Sequence, residues 1–329
     1  MLKKTIKNTV KFMFRKYYEL RHNSFVWFSV INRRGRKLYR VEAPKFSEKE
    51  QEIITTVERD GIAFARASDF FSEEVFKNLE QFVEKRWNDE DVQKKFHDRG
   101  RHLSKNIGSQ GMIDGKSYFL IELWDGLHAL DLRHIFLQFS LSKPILHIVS
   151  GYLQMFPKFR YWSLEATVPN IEGDEGIARA SQRWHRDPDD KKMLKIFLYL
   201  NDVDEEAGPF TYVKGSHSMG RHRFLFPGKP PQGTPKLPKI EDNMLPHEDI
   251  VMATGKAGSL IFADTSGLHR GGFAKSKNRF MYTSAYMSEA SVWPMRFSYP
   301  KDFNSSLITE RLARFAVENN PRQKEPKWY

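Results

Sequence analysis

A series of short apolar segments, rich in β-branched and aromatic residues, begins near residue 153 and limits the fold classes that this chain can adopt. Residues with turn chemistry separate the segments. Six of them are predicted as strands: Tyr161–Val168, Gln182–His185, Leu194–Leu200, Phe210–Val213, Ser259–Phe262 and Arg279–Tyr286. This spacing indicates an antiparallel jelly roll (double-stranded β-helix) or barrel built from two sheets.

Helical periodicity precedes this series. Ser47 and Glu50 form a capping-box pattern that begins a helix, and Gly61 is expected to end it. A short strand is predicted at Ile62–Arg66. Further helical patterns cover Ser72–Trp87, Leu127–Gln138 and Pro144–Val149, and long loops are predicted at residues 88–117 and Pro227–Pro238. The sequence therefore predicts an α+β fold with a mainly β core, flanked by N-terminal helices.

The basic charge of the chain is concentrated at its N-terminus. Residues 1–40 contain twelve Lys or Arg and a single acid, Glu19, a net charge of +11 against +12 for the whole chain. Residues 2–20 also carry an apolar stripe at helical spacing, which predicts a basic amphipathic helix. We therefore divide the chain into an N-terminal arm (1–44), a jelly-roll domain (45–300) and a C-terminal helix with a polar tail (301–329).

Two interpretations of this arm stay open. Its apolar stripe can dock on the domain and leave the charges in solvent, or it can lie on an anionic membrane surface, where each Lys or Arg contributes about 1 kcal/mol. Nucleic-acid binding is disfavoured, because nothing beyond charge suggests it. Phe25–Ile31 and Lys37–Val41, joined through Gly35, are predicted as a β-hairpin.

No apolar run is long enough to span a membrane, and charges interrupt the N-terminal stripe too often for a secretory signal. We therefore expect a cytoplasmic protein, peripheral at a membrane surface if the second interpretation of the arm holds.

The chain contains no cysteine, so a metal site in it has to use histidine and carboxylate ligands. His185 and Asp187 are two residues apart in a segment predicted to be extended, where side chains i and i+2 share a face. Completed by a ligand from a distant strand, they form a two-His, one-carboxylate site with open positions, which favours Fe(II). Arg183 shares this face and is a candidate to line a substrate pocket.

The residues that follow extend this pattern. They are the apolar strand Leu194–Val203, then Glu206-Ala207-Gly208-Pro209-Phe210 and Gly215-Ser216-His217, then Gly258–Phe262, His269 and Arg279. Together with Asp60–Phe64 they resemble the phytanoyl-CoA dioxygenase family of Fe(II)/2-oxoglutarate oxygenases, over roughly residues 58–288.

This resemblance implies a catalytic centre in which His185, Asp187 and His269 bind Fe(II). It also implies that Arg279 holds the C5 carboxylate of the cosubstrate 2-oxoglutarate, and that dioxygen is consumed. An Arg suits the cosubstrate role because its planar fork matches a carboxylate at two points and stays charged.

Supporting residues are weaker candidates. Lys195 and Tyr199 are four apart in the strand after the His-x-Asp pair, so both face one side and either can reach a cosubstrate carboxylate. The alternative interpretation is that Lys195 is a charge at the rim of the pocket and that Tyr199 is a ring in the hydrophobic core. Trp162 and Glu165 lie on opposite faces of their strand, so at most one of them faces the site; Trp162 is the candidate substrate contact.

The predicted reaction is hydroxylation of an unactivated C–H bond in a small-molecule, lipid or sugar-type substrate. Two alternatives stay open: a cupin-like metal enzyme that does not use 2-oxoglutarate, and a nucleic-acid-directed oxidative demethylase. The sequence does not predict the oligomeric state.

Overall fold

Two antiparallel sheets form the centre of the structure. The computed structural model describes residues 2–99, 119–126, 128–169, 180–228 and 241–318. Its strands are β1 (Ile62–Arg66), β2 (Leu120–Glu122), β3 (Lys158–Thr167), β4 (Leu194–Tyr199), β5 (Phe210–Val213), β6 (Ile250–Ala253), β7 (Ser259–Ala263), β8 (His269–Arg270) and β9 (Arg279–Met287). The larger sheet has the order β1-β7-β4-β9-β3-β2 and the smaller one β6-β5-β8. The predicted jelly-roll class with flanking helices is confirmed.

One predicted strand is wrong. In place of Gln182–His185, a short 3₁₀ helix covers Ala180–Gln182, and His185 makes a single antiparallel bridge to His269. Two backbone hydrogen bonds close this bridge, from His185 N to His269 O (2.9 Å) and from His269 N to His185 O (3.0 Å). Pairing stops soon afterwards because Pro188 has no N–H to donate.

The larger sheet separates two environments. On one side, Ile196 and Tyr282 join the main hydrophobic core under the helices. On the other side, Phe197 packs with Phe210 and Tyr212 of the smaller sheet. We call the second side the inner face, because it looks into the space between the two sheets.

Helices cover the outer face of the larger sheet. Those that the structure describes are α1 (Leu2–His22), α2 (Arg33–Glu42), α3 (Glu48–Asp60), α4 (Glu73–Asn88), α5 (Glu90–Asp98), α6 (Ile135–Ser140), α7 (Lys143–Leu153) and α8 (Arg311–Val317). None of them is both long enough and apolar enough to cross a bilayer.

The helix α3 begins and ends where the sequence predicted. The Ser47 hydroxyl accepts from Glu50 N (3.2 Å), and the Glu50 carboxylate accepts from Ser47 N (2.7 Å), which is the reciprocal pair of a capping box. Gly61 then turns the chain into β1 with a φ of 78°, a left-handed conformation that favours glycine.

Two other predictions before β3 need correction. The loop predicted at residues 88–117 contains α5, whose Val92 is buried. The helix predicted at Leu127–Gln138 begins only at Ile135, because the chain is extended at His134, which caps the helix. Parts of the predicted loops (residues 100–117 and 229–238), Leu127 and the tail from residue 319 lie outside the described residues.

The hairpin predicted at Phe25–Val41 is wrong. A π-helical segment covers Val26–Ile31, and α2 follows it. Gly35 lies inside α2, where a Cβ would come within 2.9 Å of the carbonyl oxygen of Phe156. This glycine therefore allows a close helix contact and does not make a turn.

The arm contacts the jelly-roll domain through part of its described apolar surface. Tyr18 and Trp27 are buried, and the Trp27 indole Nε1 donates to Asp190 Oδ1 (2.8 Å). Met13 and Leu20, from the apolar stripe, are 65% and 59% exposed. Docking thus uses part of the apolar surface and leaves the rest in solvent. The domain boundaries after residues 44 and 300 stay predictions.

Candidate active site

The structure brings His185, Asp187 and His269 together between the two sheets. Ligand atoms of the three side chains all lie within 4.8 Å of one another. Asp187 Oδ1 is 3.8 Å from His185 Nε2, and Asp187 Oδ2 is 3.6 Å from His269 Nε2. The bridge between His185 and His269 and a bond from Asp187 N to Thr265 O (2.9 Å) fix the three backbones.

Both imidazoles present the same nitrogen to this gap. His185 Nδ1 lies 2.8 Å from Arg183 O, and His269 Nδ1 lies 2.9 Å from Gly267 O. A carbonyl only accepts, so each Nδ1 carries a proton and each Nε2 is the nitrogen that is turned toward the gap. Burial lowers the pKa of His269 to about 3, and the neighbouring His185 adds to this effect. Two imidazole Nε2 atoms and one carboxylate are a donor set that fits Fe(II).

Lys195 lies against the carboxylate of this group. Its Nζ is 2.5 Å from Asp187 Oδ2, on the oxygen that also faces His269. Burial alone would raise the pKa of Asp187, but the Lys195 ammonium and the two imidazoles lower it well below its usual range. The carboxylate is therefore ionised, as a metal ligand has to be.

Arg279 is buried at the start of β9, a short way from the histidines. Its Nη2 donates to Thr167 Oγ1 (2.9 Å) and its Nη1 donates to the Gly208 carbonyl oxygen. A Cβ built on Gly271, two residues after His269, would lie 3.8 Å from Nη2. The guanidinium therefore lies against the chain segment that directly follows His269.

Tyr199 lies beside Arg279 but uses its hydroxyl on the backbone. The hydroxyl donates to Ala253 O (2.8 Å) and accepts from Phe210 N (3.1 Å), which ties β4 to the smaller sheet. Burial raises the pKa of Tyr199, and the nearby Arg279 guanidinium partly opposes the rise. The Phe210 ring lies between the two ends of the site, 5.6 Å from the ring of His269.

A comparison with family models decides the family. The model for phytanoyl-CoA dioxygenase (PhyH) matches residues 57–280, about two thirds of the chain. The chain belongs to the phytanoyl-CoA dioxygenase family. It is thus a non-haem Fe(II)- and 2-oxoglutarate-dependent oxygenase, and neither the cupin-like enzyme nor the nucleic-acid demethylase is favoured.

The structure is also similar to several solved structures. EctD from S. alaskensis with 2-oxoglutarate and 5-hydroxyectoine is 15% identical, with 84% of this chain and 88% of that chain covered and a TM-score of 0.48. The epimerase SnoN in complex with Fe3+, alpha ketoglutarate and nogalamycin RO is 14% identical, with 73% and 84% covered and a TM-score of 0.47. No curated protein matches the sequence.

One of the two candidate substrate residues does not face the metal ligands. Trp162 is buried on the helix side of β3, where its ring packs with those of Trp124, Phe159 and Phe297. Arg183 is exposed, and its carbonyl oxygen lies 2.8 Å from His185 Nδ1. Its place in the pocket stays a prediction.

Sequence reasoning missed the inner-face residues of β3. Thr167 binds Arg279, and Tyr161 lies under Lys195, whose Nζ is 5.3 Å from its ring centroid. Glu165 shares their alternation, and burial raises its pKa, with the charge of Glu122 adding to the effect. The two-residue period along β3 predicted that these residues share a face, but only the pairing of β3 with β9 shows which face it is.

Proposed function

We propose that His185, Asp187 and His269 hold Fe(II), that Arg279 binds the far carboxylate of 2-oxoglutarate, and that the enzyme hydroxylates a C–H bond of a small-molecule, lipid or sugar-type substrate. The observation that carries this proposal is the convergence of two Nε2 atoms and one carboxylate, with a buried guanidinium a short distance away. Iron, when bound, supplies the oxidising chemistry, in which dioxygen converts 2-oxoglutarate to succinate and carbon dioxide while the substrate is oxidised.

The side chains of this site orient the reactants and exclude water. Lys195 binds Asp187 Oδ2, the oxygen on the side of His269, and Asp187 Oδ1 lies on the side of His185, so the ammonium fixes the carboxylate between the two rings. Arg279 and Thr167 fix one end of the pocket, and Phe210 with Phe197 forms an apolar wall (ring centroids 4.7 Å apart) between that end and His269. A dry wall strengthens the charged contacts at both ends.

Anaerobic titration with Fe(II) and 2-oxoglutarate tests the ligand assignment. We expect the visible charge-transfer band of the Fe(II)–2-oxoglutarate complex to saturate at one iron per chain, and to be lost in His269→Ala. His247→Ala removes a histidine that lies outside the site and is the matched control. A band that survives in His269→Ala would remove this histidine from the ligand set.

Product analysis tests the reaction. Succinate release, screened across candidate substrates, reports turnover of the cosubstrate. Incorporation of an oxygen atom from isotopically labelled dioxygen into the oxidised substrate distinguishes hydroxylation from epimerisation or desaturation. Neither of these two reactions adds an oxygen atom to the substrate.

We also propose that residues 1–40 contact an anionic membrane surface. The exposed stripe residues Met13 and Leu20 stand beside Lys16 in a segment of net charge +11, a composition that suits anionic lipid headgroups. Flotation with anionic vesicles tests this contact, with wild type expected to float and Met13→Ser/Leu20→Ser expected to stay at the bottom of the gradient. Equal flotation of both proteins would contradict it.

A further inference from the structure

A cavity of about 580 Å³ lies between the arm and the helix side of the domain. The arm supplies one wall. The other lining residues come from the end of α7 and from Glu58, Lys191, Lys192, His217 and Met219. None of the candidate metal ligands lines it, and neither does Arg279. Its volume falls within the range of small-molecule and cofactor sites.

Large apolar side chains stand around this cavity and remain in solvent. Phe25 is 69% exposed, Met219 66% and Phe28 38%. Three such side chains come from two distant parts of the sequence and meet at one opening. Apolar surface that stays in water is unfavourable, so a rim of this kind indicates a surface that an apolar group covers.

Cations also line the cavity. Lys192 Nζ donates to the Tyr152 carbonyl oxygen, and Lys191 Nζ donates to Ser24 Oγ (2.6 Å) and to His22 O (3.2 Å). Among the described residues, these bonds use one of the three N–H donors of the Lys192 ammonium and two of the three of Lys191. Burial lowers the pKa of both lysines, so an anion nearby would stabilise their charged forms.

The surroundings are basic as well. A second cavity of about 360 Å³ shares Glu58 and Gln154 with the first and is lined by Arg36 and Arg40. Glu58 is the acid that lines both of these described cavities, against two lysines in one and two arginines in the other. An amphiphile with an anionic headgroup therefore matches both the apolar rim and the charge.

We propose that the cavity under the arm binds one anionic phospholipid. Its acyl chains cover Phe25, Phe28 and Met219, and its phosphate accepts from Lys191 and Lys192. This lipid is a ligand of the arm and not the substrate of the oxygenase, because neither the candidate metal ligands nor Arg279 line the cavity. The inference does not depend on iron or 2-oxoglutarate, and it requires no bilayer.

Calorimetric titration with a short-chain lipid below its critical micelle concentration tests the site. We expect dihexanoyl-phosphatidylglycerol to bind the full-length protein saturably at one molecule per chain, and dihexanoyl-phosphatidylcholine to bind at least tenfold more weakly. Glycerol phosphate, which has the anion without acyl chains, is expected not to bind. The measurement uses monomeric lipid without iron or 2-oxoglutarate, so its failure is distinct from a failure of flotation or of turnover.

Variants locate the site. Phe25→Ser/Phe28→Ser and, separately, Lys191→Gln are each expected to weaken phosphatidylglycerol binding at least tenfold. Leu307→Ser replaces an apolar side chain that is 75% exposed and does not line the cavity, and it is expected to bind as wild type does. Unchanged thermal unfolding temperatures show that the variants are folded.

Four results of the binding measurements would overturn the proposal. They are the absence of saturable binding, equal binding of the two lipids, equal binding by the cavity variants, and binding of glycerol phosphate as strong as that of the lipid. A dimer seen by light scattering that Phe25→Ser/Phe28→Ser abolishes would also overturn it, since a second copy of the chain would then cover the rim.

Discussion

Arg279 is the residue whose surroundings most define the proposed cosubstrate end of the site. Its guanidinium is enclosed by Thr167 from β3 and Gly208 from the segment before β5, so it is oriented before a ligand arrives. A buried fork of this kind recognises a carboxylate at two points and cannot release its proton at neutral pH.

Replacing Arg279 with Lys is expected to raise the KM for 2-oxoglutarate about 10- to 100-fold, because hydrogen bonds to charged groups contribute about 1.5–3 kcal/mol and lysine keeps only part of the contact. Succinate release as a function of 2-oxoglutarate concentration measures it. Arg133→Lys, at a side chain that is 90% exposed, is the control. An unchanged KM would contradict the proposal that Arg279 holds the far carboxylate of 2-oxoglutarate.

Among the elements, the segment between β4 and β5 links the two sheets at the site. Gly208 has a φ of 69°, and a Cβ there would lie 2.5 Å from Ala274 N and from Phe273 C. Its carbonyl oxygen accepts from Arg279. The glycine therefore serves the packing of the loop and the position of the guanidinium together.

Gly208→Ala is expected to lower the free energy of unfolding by about 1–3 kcal/mol, since a left-handed conformation and a backbone overlap both oppose a side chain. It should also raise the KM for 2-oxoglutarate. Chemical denaturation and succinate release measure the two effects. Gly126→Ala, where no atom lies within 4 Å of the added Cβ, should change neither; a neutral Gly208→Ala would contradict this account of the loop.

Elements fixed by neighbouring residues could be predicted from the sequence, as α3 shows. The Ser47 cap and the Gly61 stop depend on residues within one helix. Gly35 is predicted as a turn residue from its neighbours, but the structure needs a glycine there because the backbone of Phe156, far along the chain, packs against it. The prediction for Trp162 failed for a related reason. Strand alternation predicts that Trp162 and Glu165 lie on opposite faces of β3, but only the pairing of distant strands shows which of the two lies on the inner face.

At the scale of the whole molecule, α2 of the arm and the end of α8 meet on the same side of the domain. Arg34 of α2 pairs with Glu318 just after α8 (2.7 Å). Lys158 of β3 is buried beneath α8, and its Nζ donates to Phe315 O (2.7 Å) and Glu318 O (3.2 Å). Burial lowers the pKa of Lys158 to about 8, although Glu289 and Glu318 partly oppose the shift.

This buried amine predicts a pH dependence of stability. Between about pH 8 and the ordinary lysine value of 10.5, the unfolded chain holds a proton that the folded chain has released. The unfolding free energy of wild type minus that of Lys158→Met should therefore rise with pH in this window, by at most about 1.4 kcal/mol per pH unit. Denaturation of both proteins from pH 7 to about 10 measures it; a difference that stays flat would contradict it.

The imidazoles of His185 and His269 are each oriented by a hydrogen bond from Nδ1 to a backbone carbonyl oxygen two residues earlier, at Arg183 and at Gly267. Backbone carbonyls survive every substitution, so no exchange of a neighbouring side chain deletes these supports. We expect metal-free protein to keep its rings already turned for capture. Divalent ions other than iron, such as cobalt, nickel or zinc, should then enter through the same pair of nitrogens without refolding the chain.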